Sequence, residues 1–362
     1  MIKDHLISLS NSSLFQKQLL AWYKKNARDL PWRRTSDPYK IWISEIMLQQ
    51  TQVQTVIPYY ERWLKRFPDI KGLAKAPEAE VMKHWAGLGY YRRARMIHEA
   101  AKFVVEKKQG EFPGNAKELL ALPGIGRYTA GAVASIAYGE KTPVLDGNVI
   151  RILTRLAAIK EDIGKPKTIE KLWELAGSLV PKSNPGDFNQ AMMELGATLC
   201  TPQNPACLLC PVMNFCEGRK KGAPENYPVK QEKIKLEKIK TAALILRKNG
   251  KILLQKQTAK ERWGGLWVFP FEKDLRSLLE KLRIPEIDLK HKLTIRHGFT
   301  KYQISLDVYE HTLSFLRGAP ERRRSNIKSP GMQWFPVKEL SDLAFPSPHQ
   351  KIVKKILKDH VS

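Results

Sequence analysis

Four closely spaced cysteines constrain this chain more than any other feature. They follow the pattern C-x6-C-x2-C-x5-C and are the only cysteines in the sequence: Cys200, Cys207, Cys210 and Cys216. Such a local cluster is unsuited to a disulfide framework, which links distant segments of a small secreted domain. Four thiolates in one short loop can instead surround a metal centre. Zinc is one candidate, but zinc sites commonly pair two C-x2-C knuckles and only one is present, so the spacing favours iron and sulfur.

The charge of the chain points to a polyanionic partner. With 62 Lys plus Arg against 36 Asp plus Glu among 362 residues, the formal net charge is +26. Nucleic acid, an acidic protein and an anionic membrane surface all fit this charge. No apolar run approaches the roughly 18 residues that span a bilayer, and the first twenty residues lack the pattern of a secretion signal. We therefore expect a soluble, intracellular, cytoplasmic protein without membrane association.

The hydrophobic pattern of the sequence changes after Cys216, and this change indicates separate domains. Before that point, amphipathic helical segments are separated by Pro and Gly, as at 40–67, 79–85, 92–107, 116–122, 128–138, 148–158, 169–179 and 188–200. Afterwards come short β-rich segments at 241–246, 252–256, 266–269, 303–309 and 333–337, with helical patterns at 274–282 and 349–358. The sequence predicts an all-α domain over 1–217, a basic solvated linker over 218–240 and an α+β domain over 241–362.

A glycine-rich turn between two helical segments can hold a phosphate. The stretch Leu-Pro-Gly-Ile-Gly-Arg contains Gly124 and Gly126, which let successive backbone amides approach an anion. The helix that follows points the positive end of its dipole at the same place. Taken alone, a Pro-Gly turn between helices is equally often a simple connection.

One carboxylate stands in an otherwise apolar stretch of a predicted helix. Glu45 is flanked by Ile43, Ile46 and Met47. A lone helical Glu usually faces solvent. Partial burial among these neighbours would raise its pKa and fit it to donate a proton.

In their order along the chain, these features resemble the endonuclease III-like family of helix-hairpin-helix DNA glycosylases. The resemblance covers nearly all of residues 10–217. In that family the cysteine loop holds a 4Fe–4S cluster just after the last helix, and the hairpin binds a backbone phosphate of DNA. The resemblance therefore implies one 4Fe–4S cluster in the loop 200–216, with a structural or redox role and no part in bond cleavage.

The stretch around Glu45 resembles the adenine glycosylase branch of this family, whose catalytic glutamate lies there. Asp146 stands at the distance beyond the hairpin where the family keeps an essential aspartate, although an N-cap role alone would also explain it. Members that cut the DNA backbone carry a lysine just past the hairpin, where this chain has Tyr128. The resemblance thus implies a monofunctional glycosylase with Glu45, Asp146, Tyr128 and Asn148 as its catalytic group.

The same branch supplies candidates for contacts to DNA and to the flipped base. A tryptophan and two arginines can enclose a purine and hold phosphate, a polar turn follows the glutamate helix, and a loop offers apolar wedges. The resemblance assigns these contacts to Arg28, Trp32, Arg33, Gln50, Thr51, Leu88, Gly89, Tyr90, Gly124, Gly126 and Gln190. Each of these side chains also has a simpler explanation in core packing or surface polarity.

The C-terminal domain of that branch resembles a Nudix fold and recognises the oxidised guanine opposite the target adenine. Its predicted strands and the stretch 263–270 fit that pattern. No set of glutamates suited to magnesium follows, so pyrophosphate hydrolysis is not expected. The lesion-recognition loop aligns with Phe299 and Thr300, but Lys301 replaces the histidine of relatives.

Together these inferences predict a multidomain enzyme of base excision repair. It would flip adenine mispaired with 8-oxoguanine or guanine out of double-stranded DNA and hydrolyse its glycosidic bond, acting as a monomer. Two alternatives stay open. One is an endonuclease III-type glycosylase and lyase on oxidised pyrimidines; the other is a DNA-binding protein that kept the cluster and lost catalysis.

Overall fold

The computed structural model describes residues 9–231, 236–258, 261–284, 289–299, 301–313 and 331–361. For residues 9–11, 299 and 361 only the backbone is described. The chain divides into two compact units that are discontinuous in sequence. One consists of residues 1–75 and 96–233, and the other consists of residues 76–95 and 234–362.

The first twelve helices precede every strand, and most belong to the first unit. In chain order they are α1 Leu9–Asn26, α2 Pro38–Leu48, α3 Val53–Arg66, α4 Ile70–Lys75, α5 Glu78–Trp85, α6 Arg92–Lys107, α7 Ala116–Leu119, α8 Arg127–Tyr138, α9 Gly147–Leu156, α10 Pro166–Leu179, α11 Pro185–Thr198 and α12 Glu217–Lys220. Between residues 9 and 231, this order confirms the predicted all-α domain. Across the described residues, no helix is both long and apolar enough to cross a membrane.

A helix break follows the buried glutamate and was not predicted. We expected one helical segment over 40–67, but α2 ends at Leu48 and α3 begins at Val53. Gln50 adopts a left-handed backbone conformation with φ 56°, which ends the helical path. Neither Gly nor Pro marks this turn, so the sequence carried no signal for it. The break leaves Gln50 and Thr51 in a tight turn directly after the helix that carries Glu45.

The core of the first unit joins α1, α9, α10 and α11. Phe15, Leu153, Leu172 and Phe188 are among its fully or almost fully buried side chains. The approach of α11 to α9 depends on Gly196, where an added Cβ would lie 2.5 Å from the Asn148 Cβ. The core therefore holds the start of α9 tightly against α11.

Much of the predicted basic linker is part of the first unit. Beyond α12, Arg155 Nε donates to the Tyr227 carbonyl oxygen at 3.2 Å, and the Ile163 amide donates to the Val229 carbonyl oxygen at 3.0 Å. These hydrogen bonds and the buried Tyr227 side chain join residues 218–229 to the first unit, where a linker free of such packing was expected. The abundance of lysine concealed this packing because the contacts are made by the backbone.

The second unit is built on a mixed β-sheet with helices α13 (Leu275–Leu282) and α14 (Ser347–Val361). Its strands are β1 Glu237–Lys248, β2 Lys251–Lys256, β3 Trp267–Val268, β4 Phe271–Glu272, β5 Lys290–Phe299, β6 Tyr302–Thr312 and β7 Met332–Pro336. The sheet order is β3-β2-β1-β6-β5, with β4 paired to β1 and β7 paired to β2. Strands β1 and β6 run parallel. Buried clusters on the α13 and α14 sides confirm the α+β prediction.

The segment 76–95 packs with the C-terminal part of the chain. The Tyr91 hydroxyl donates to the Phe345 carbonyl oxygen at 3.3 Å, and the Ser347 hydroxyl donates to the Gly87 carbonyl oxygen at 3.3 Å. Lys83 and Asp342 form an ion pair at 3.0 Å. The domain predicted for 1–217 therefore gives one of its segments to the second unit.

Candidate active site

Glu45 lies inside the helical unit, near the end of α2. It is 5% exposed, and the Tyr128 hydroxyl donates to its Oε2 atom at 2.6 Å. Burial raises the pKa of Glu45 to about 7, because burial penalises the charged carboxylate. The Tyr128 hydrogen bond and the Arg33 charge oppose this rise, while the Asp146 charge adds to it. Glu45 can therefore carry or release a proton near neutral pH.

Tyr128 stands in the first turn of α8, directly after the glycine-rich turn. Burial and the neighbouring Glu45 raise the pKa of the Tyr128 phenol well above its ordinary value. The phenol thus stays protonated and acts as a donor to Glu45. Where the resemblance led us to look for the lysine of backbone-cleaving family members, the chain has a phenol that donates to the buried carboxyl.

Asp146 is the N-cap of α9 and also faces the site. Its Oδ1 accepts the Val149 amide at 2.8 Å, and its Oδ2 accepts the Asn148 side-chain amide at 2.9 Å. Burial raises the pKa of Asp146, while these two donors lower it. The negative charge of Asp146 in turn raises the pKa of Glu45. The structure thus brings Glu45, Tyr128, Asp146 and Asn148 together.

A row of hydrogen bonds joins this aspartate to the cysteine loop. Asn148 Oδ1 accepts from Arg151 Nη2 at 2.8 Å, and Arg151 Nε donates to the Cys200 carbonyl oxygen at 2.7 Å. Sequence reasoning missed Arg151, because an arginine on an amphipathic helix is usually read as a surface residue. The first turn of α9 is therefore hydrogen-bonded both to the Asp146 side chain and to the start of the cysteine loop.

The two carboxyl groups have different environments. Glu45 is buried with one phenolic donor, whereas Asp146 receives donors on both of its oxygens. Two carboxyls set apart in this way can divide acid–base work, one donating a proton while the other stays ionised beside a developing positive charge.

The hairpin comprises α7, a turn and α8. Gly124 has φ +74°, and a Cβ at that position would lie 2.4 Å from the Met96 Cβ. Both its backbone conformation and its close packing therefore require glycine. Gly126 is the N-cap of α8, with open space at its Cα. The first amides of a helix have no intrahelical acceptors, which suits this turn to an anion such as phosphate.

The predicted base-pocket residues occupy varied environments. Trp32 is 6% exposed and packs edge-to-face on Tyr60, with ring centroids 5.5 Å apart. Gln190 is half-buried on α11, while Gln50 is exposed and Thr51 half-buried after α2. Arg28 and Arg33 both bind Glu194, a buried carboxylate that sequence reasoning missed. The sequence did carry a signal for Glu194, because a charged residue stands there among the apolar residues of α11.

The predicted wedge loop, which belongs to the second unit, exposes one of its two apolar side chains. Leu88 is 6% exposed, whereas Tyr90 is 40% exposed. Trp85 Nε1 donates to the Gly89 carbonyl oxygen at 3.0 Å, and the Arg93 guanidinium lies 5.4 Å from the Tyr90 ring centroid. Tyr90 is therefore the more exposed of the two predicted wedge side chains, while Leu88 is buried.

The tip of the β5–β6 hairpin carries the predicted lesion-recognition residues. The backbone of Phe299 pairs with Tyr302, which places this residue at the end of β5. Its side chain and all of Thr300 lie outside the described residues. Lys301 forms an ion pair with Glu237 at 2.6 Å.

The four cysteines converge on the loop after α11. Cys200 follows that helix, Cys207 begins a short 3-10 turn, and Cys216 is the N-cap of α12. Burial, with a smaller contribution from the other three thiols, raises the pKa of Cys210 to about 12. Arg155 Nη1 donates to the Cys200 Sγ at 3.2 Å. No disulfide joins any two of these cysteines.

This donor set fits an iron–sulfur cluster. Thiolates are the ligands that such clusters use, and a bound cation would offset the cost of ionising buried thiols. Among the described residues, no three His, Cys, Asp or Glu side chains are arranged around a single metal ion. The fit to a cluster rests instead on three observations. Four thiols lie in one loop, three of them raise the pKa of the fourth, and Arg155 donates a hydrogen bond to the Cys200 sulfur.

Comparison with known families defines the class of protein. Residues 43–178 match the HhH-GPD superfamily of base excision DNA repair proteins, residues 200–216 match the iron-sulfur binding domain of endonuclease III, and residues 241–355 match a NUDIX domain. The solved structure of a thermostable thymine-DNA glycosylase has a TM-score of 0.53 and 32% sequence identity, covering 59% of this chain and 99% of that one. The fold and site are those of a helix-hairpin-helix base excision DNA repair protein with a Nudix-like C-terminal domain.

Individual relatives narrow this class. The adenine DNA glycosylase of Buchnera aphidicola subsp. Schizaphis graminum is 38% identical, over 94% of this chain and 98% of that protein. The human adenine DNA glycosylase is 35% identical, over 94% of this chain and 73% of that protein. The chain belongs to the adenine DNA glycosylase family. Its cysteine loop is an endonuclease III-type iron–sulfur binding domain, consistent with the predicted 4Fe–4S cluster.

Proposed function

We propose that this protein hydrolyses the N-glycosidic bond of adenine that is mispaired with 8-oxoguanine or guanine in double-stranded DNA. The observation that carries the proposal is the buried Glu45, held by Tyr128 at 2.6 Å and facing Asp146. A carboxyl that is protonated near neutral pH is what excision of a poor leaving group requires.

In the proposed reaction, adenine leaves the base stack and enters the site beside Glu45. Glu45 donates its proton to N7 of adenine, so that the base departs as a neutral molecule rather than an anion. The sugar then carries oxocarbenium character, which the Asp146 carboxylate stabilises. Glu45, now ionised, accepts a proton from the attacking water. Adenine and an abasic site are the products.

The proposed reaction ends at the abasic site. The Tyr128 hydroxyl is bound to Glu45 and Tyr128 brings no amine, so no Schiff base with the sugar forms at this position. The four cysteines would hold the cluster, which when bound supplies a rigid, redox-capable centre for the loop that follows α11.

The proposed DNA contacts lie on both units. The hairpin with Gly124 and Gly126 is suited to a backbone phosphate, and the exposed Tyr90 ring is suited to stacking between bases. Recognition of the opposite base falls to the hairpin that carries Phe299 and Thr300. Residues 218–362 hold 32 basic and 15 acidic residues, an excess of positive charge that favours binding along the phosphates of a duplex.

The pH dependence of excision follows from Glu45. Its pKa is raised from 4.5 to about 7, so the acid form is the main species only below that pH. We expect the single-turnover rate constant to be highest below about pH 7 and to fall about tenfold per pH unit well above it. Rate constants measured with enzyme in excess over duplex test this. A rate constant that rises through this range would contradict the assignment of Glu45 as the acid.

Duplexes with defined lesions test the function itself. The protein is incubated with adenine opposite 8-oxoguanine, adenine opposite guanine, or thymine glycol opposite adenine, and strand breaks are compared before and after alkali. We expect breaks only in the adenine mispairs, and only after alkali. Activity confined to thymine glycol, with breaks that need no alkali, would instead support an endonuclease III-type lyase. DNA binding without breaks in any duplex would support a non-catalytic protein.

A further inference from the structure

A single buried carboxylate on α11 binds two arginines of the loop that precedes α2. Arg28 Nε and Nη2 donate to the two carboxylate oxygens of Glu194 at 2.7 and 2.8 Å, and the Arg28 backbone amide donates to Oε1 at 3.1 Å. Arg33 Nη2 donates to Oε2 at 2.7 Å. The Glu194 side chain is 0% exposed. Bidentate pairs of this kind fix the position and the plane of a guanidinium group.

The two arginines are also tied to each other and to α1. Arg33 Nη1 donates to the Arg28 carbonyl oxygen at 3.0 Å, and the Arg33 guanidinium lies 5.4 Å from the Tyr23 ring centroid. The Arg33 side chain is only 14% exposed. Removing the carboxylate therefore leaves Arg33 confined by its remaining contacts.

The same helix turn contacts the candidate catalytic group. Met193 is adjacent to Glu194, and its sulfur lies 3.2 Å from the Tyr128 hydroxyl that binds Glu45. Arg33 is close enough to Glu45 for its charge to lower the pKa of that carboxyl. Arg33 thus interacts both with the buried carboxylate of α11 and with the carboxyl that the proposed reaction needs protonated.

The charges of this cluster decide how strongly it opposes protonation of Glu45. Two guanidinium groups carry two positive charges, and the Glu194 carboxylate cancels one of them. The hydrogen bonds from Arg28 and Arg33 outweigh burial and hold the pKa of Glu194 at about 2, so this carboxylate is ionised at every working pH. Without it, the positive charge of Arg33, whose side chain is only 14% exposed, would act on Glu45 without an offsetting carboxylate, and charges act strongly where water is excluded.

We propose that Glu194 is a positioning residue that fixes Arg28 and Arg33 beside the base pocket and offsets their charge, so that Glu45 can hold a proton at neutral pH. This inference rests on the proposed function, because it requires Glu45 to act as the acid. The titratable and charged groups that interact with Glu45 are Tyr128 from α8, Asp146 from the start of α9 and Arg33 from the loop. Glu194 acts on Glu45 through the last of these.

The alkaline limb of the pH–rate profile tests the proposal. Single-turnover adenine excision is measured from a duplex with adenine opposite 8-oxoguanine, for wild type, Glu194→Gln and Glu194→Asp. In Glu194→Gln we expect the limb to move down by about one pH unit, which slows excision about tenfold above the limb and much less below it. Glu194→Asp keeps the negative charge and returns the limb toward the wild-type position.

A matched control separates this charge effect from general damage to α11. Asp187→Asn removes one negative charge from an exposed position in the first turn of the same helix and should leave the limb in place. Circular dichroism and cluster absorbance verify folding of each variant. A limb that stays in place in folded Glu194→Gln, or that moves equally in Asp187→Asn, overturns the proposal.

A second variant keeps the proposal testable if Glu194→Gln does not fold. Arg33→Gln removes one of the positive charges, and we expect its limb to move to higher pH; a limb that does not rise overturns the charge balance. Failure of wild-type protein to release adenine would refute the proposed function. Normal release by wild type with unmoved limbs in the variants would refute the role of Glu194 alone.

Discussion

Glu45→Gln abolishes adenine release while binding to duplex DNA is retained. Glutamine keeps the size and the hydrogen-bonding oxygen that faces Tyr128, but it has no acidic proton to give to the base. General acid catalysis contributes about 10² to 10⁴ in rate, so we expect the single-turnover rate constant to fall by about 10³-fold or more, equivalent to about 4 kcal/mol of barrier. Excision and electrophoretic-mobility assays on the same duplex measure the two properties.

Glu61→Gln is the matched control for this change. Glu61 lies on α3 and is exposed, so the same chemical substitution there should leave excision near the wild-type rate. If Glu45→Gln released adenine as fast as the control, Glu45 would have no part in the mechanism. Equal loss of DNA binding in Glu45→Gln would instead show that its effect lies in binding.

Cys210→Ser removes the cluster and destabilises the helical unit. Burial is the main cause that raises the pKa of the Cys210 thiol to about 12, and serine is a poor ligand for iron at that position. Because ligand binding and folding are coupled in such loops, we expect the visible absorbance of the cluster to disappear and Tm to fall by about 10 °C. Absorbance spectra, iron content and thermal melts measure this.

Leu208→Ser tests whether the loss is specific to a ligand. Leu208 lies between two of the cysteines and is 81% exposed, so serine there should keep both absorbance and Tm. Full cluster absorbance in Cys210→Ser would contradict the assignment of this cysteine as a ligand. Loss of the cluster in Leu208→Ser would mean that any change in the loop disrupts it.

Features carried by local spacing could be predicted from the sequence. The four cysteines lie within one loop, so their pattern alone indicates a common site. The hairpin glycines precede a helix with a clear start, and Glu45 stands out as a charge among apolar neighbours. In each case the chemistry depends on residues that are close in the chain, where helix periodicity and turn composition are informative.

Features that depend on contacts between distant segments could not be predicted. Glu194 meets Arg28 across 166 positions, and no periodicity relates them. The turn at Gln50 lacks Gly and Pro, and its left-handed backbone comes from tertiary context. Strand β5, at the edge of the sheet in the described residues, is rich in Lys and His, which conceals its alternation. The burial of Leu88 beside the exposed Tyr90 is likewise not visible in a local pattern.

The packing of segment 76–95 with the end of the chain has a consequence for synthesis. The ribosome completes both catalytic carboxylates and all four cysteines before it reaches Phe345 and Ser347, whose groups bind Tyr91 and Gly87. Domains generally fold in the order in which they emerge. The loop that carries Tyr90 therefore gains these two hydrogen bonds only after translation has passed residue 347. A product of premature termination before residue 345 would retain its chemical groups and lack the hydrogen bonds that hold this loop.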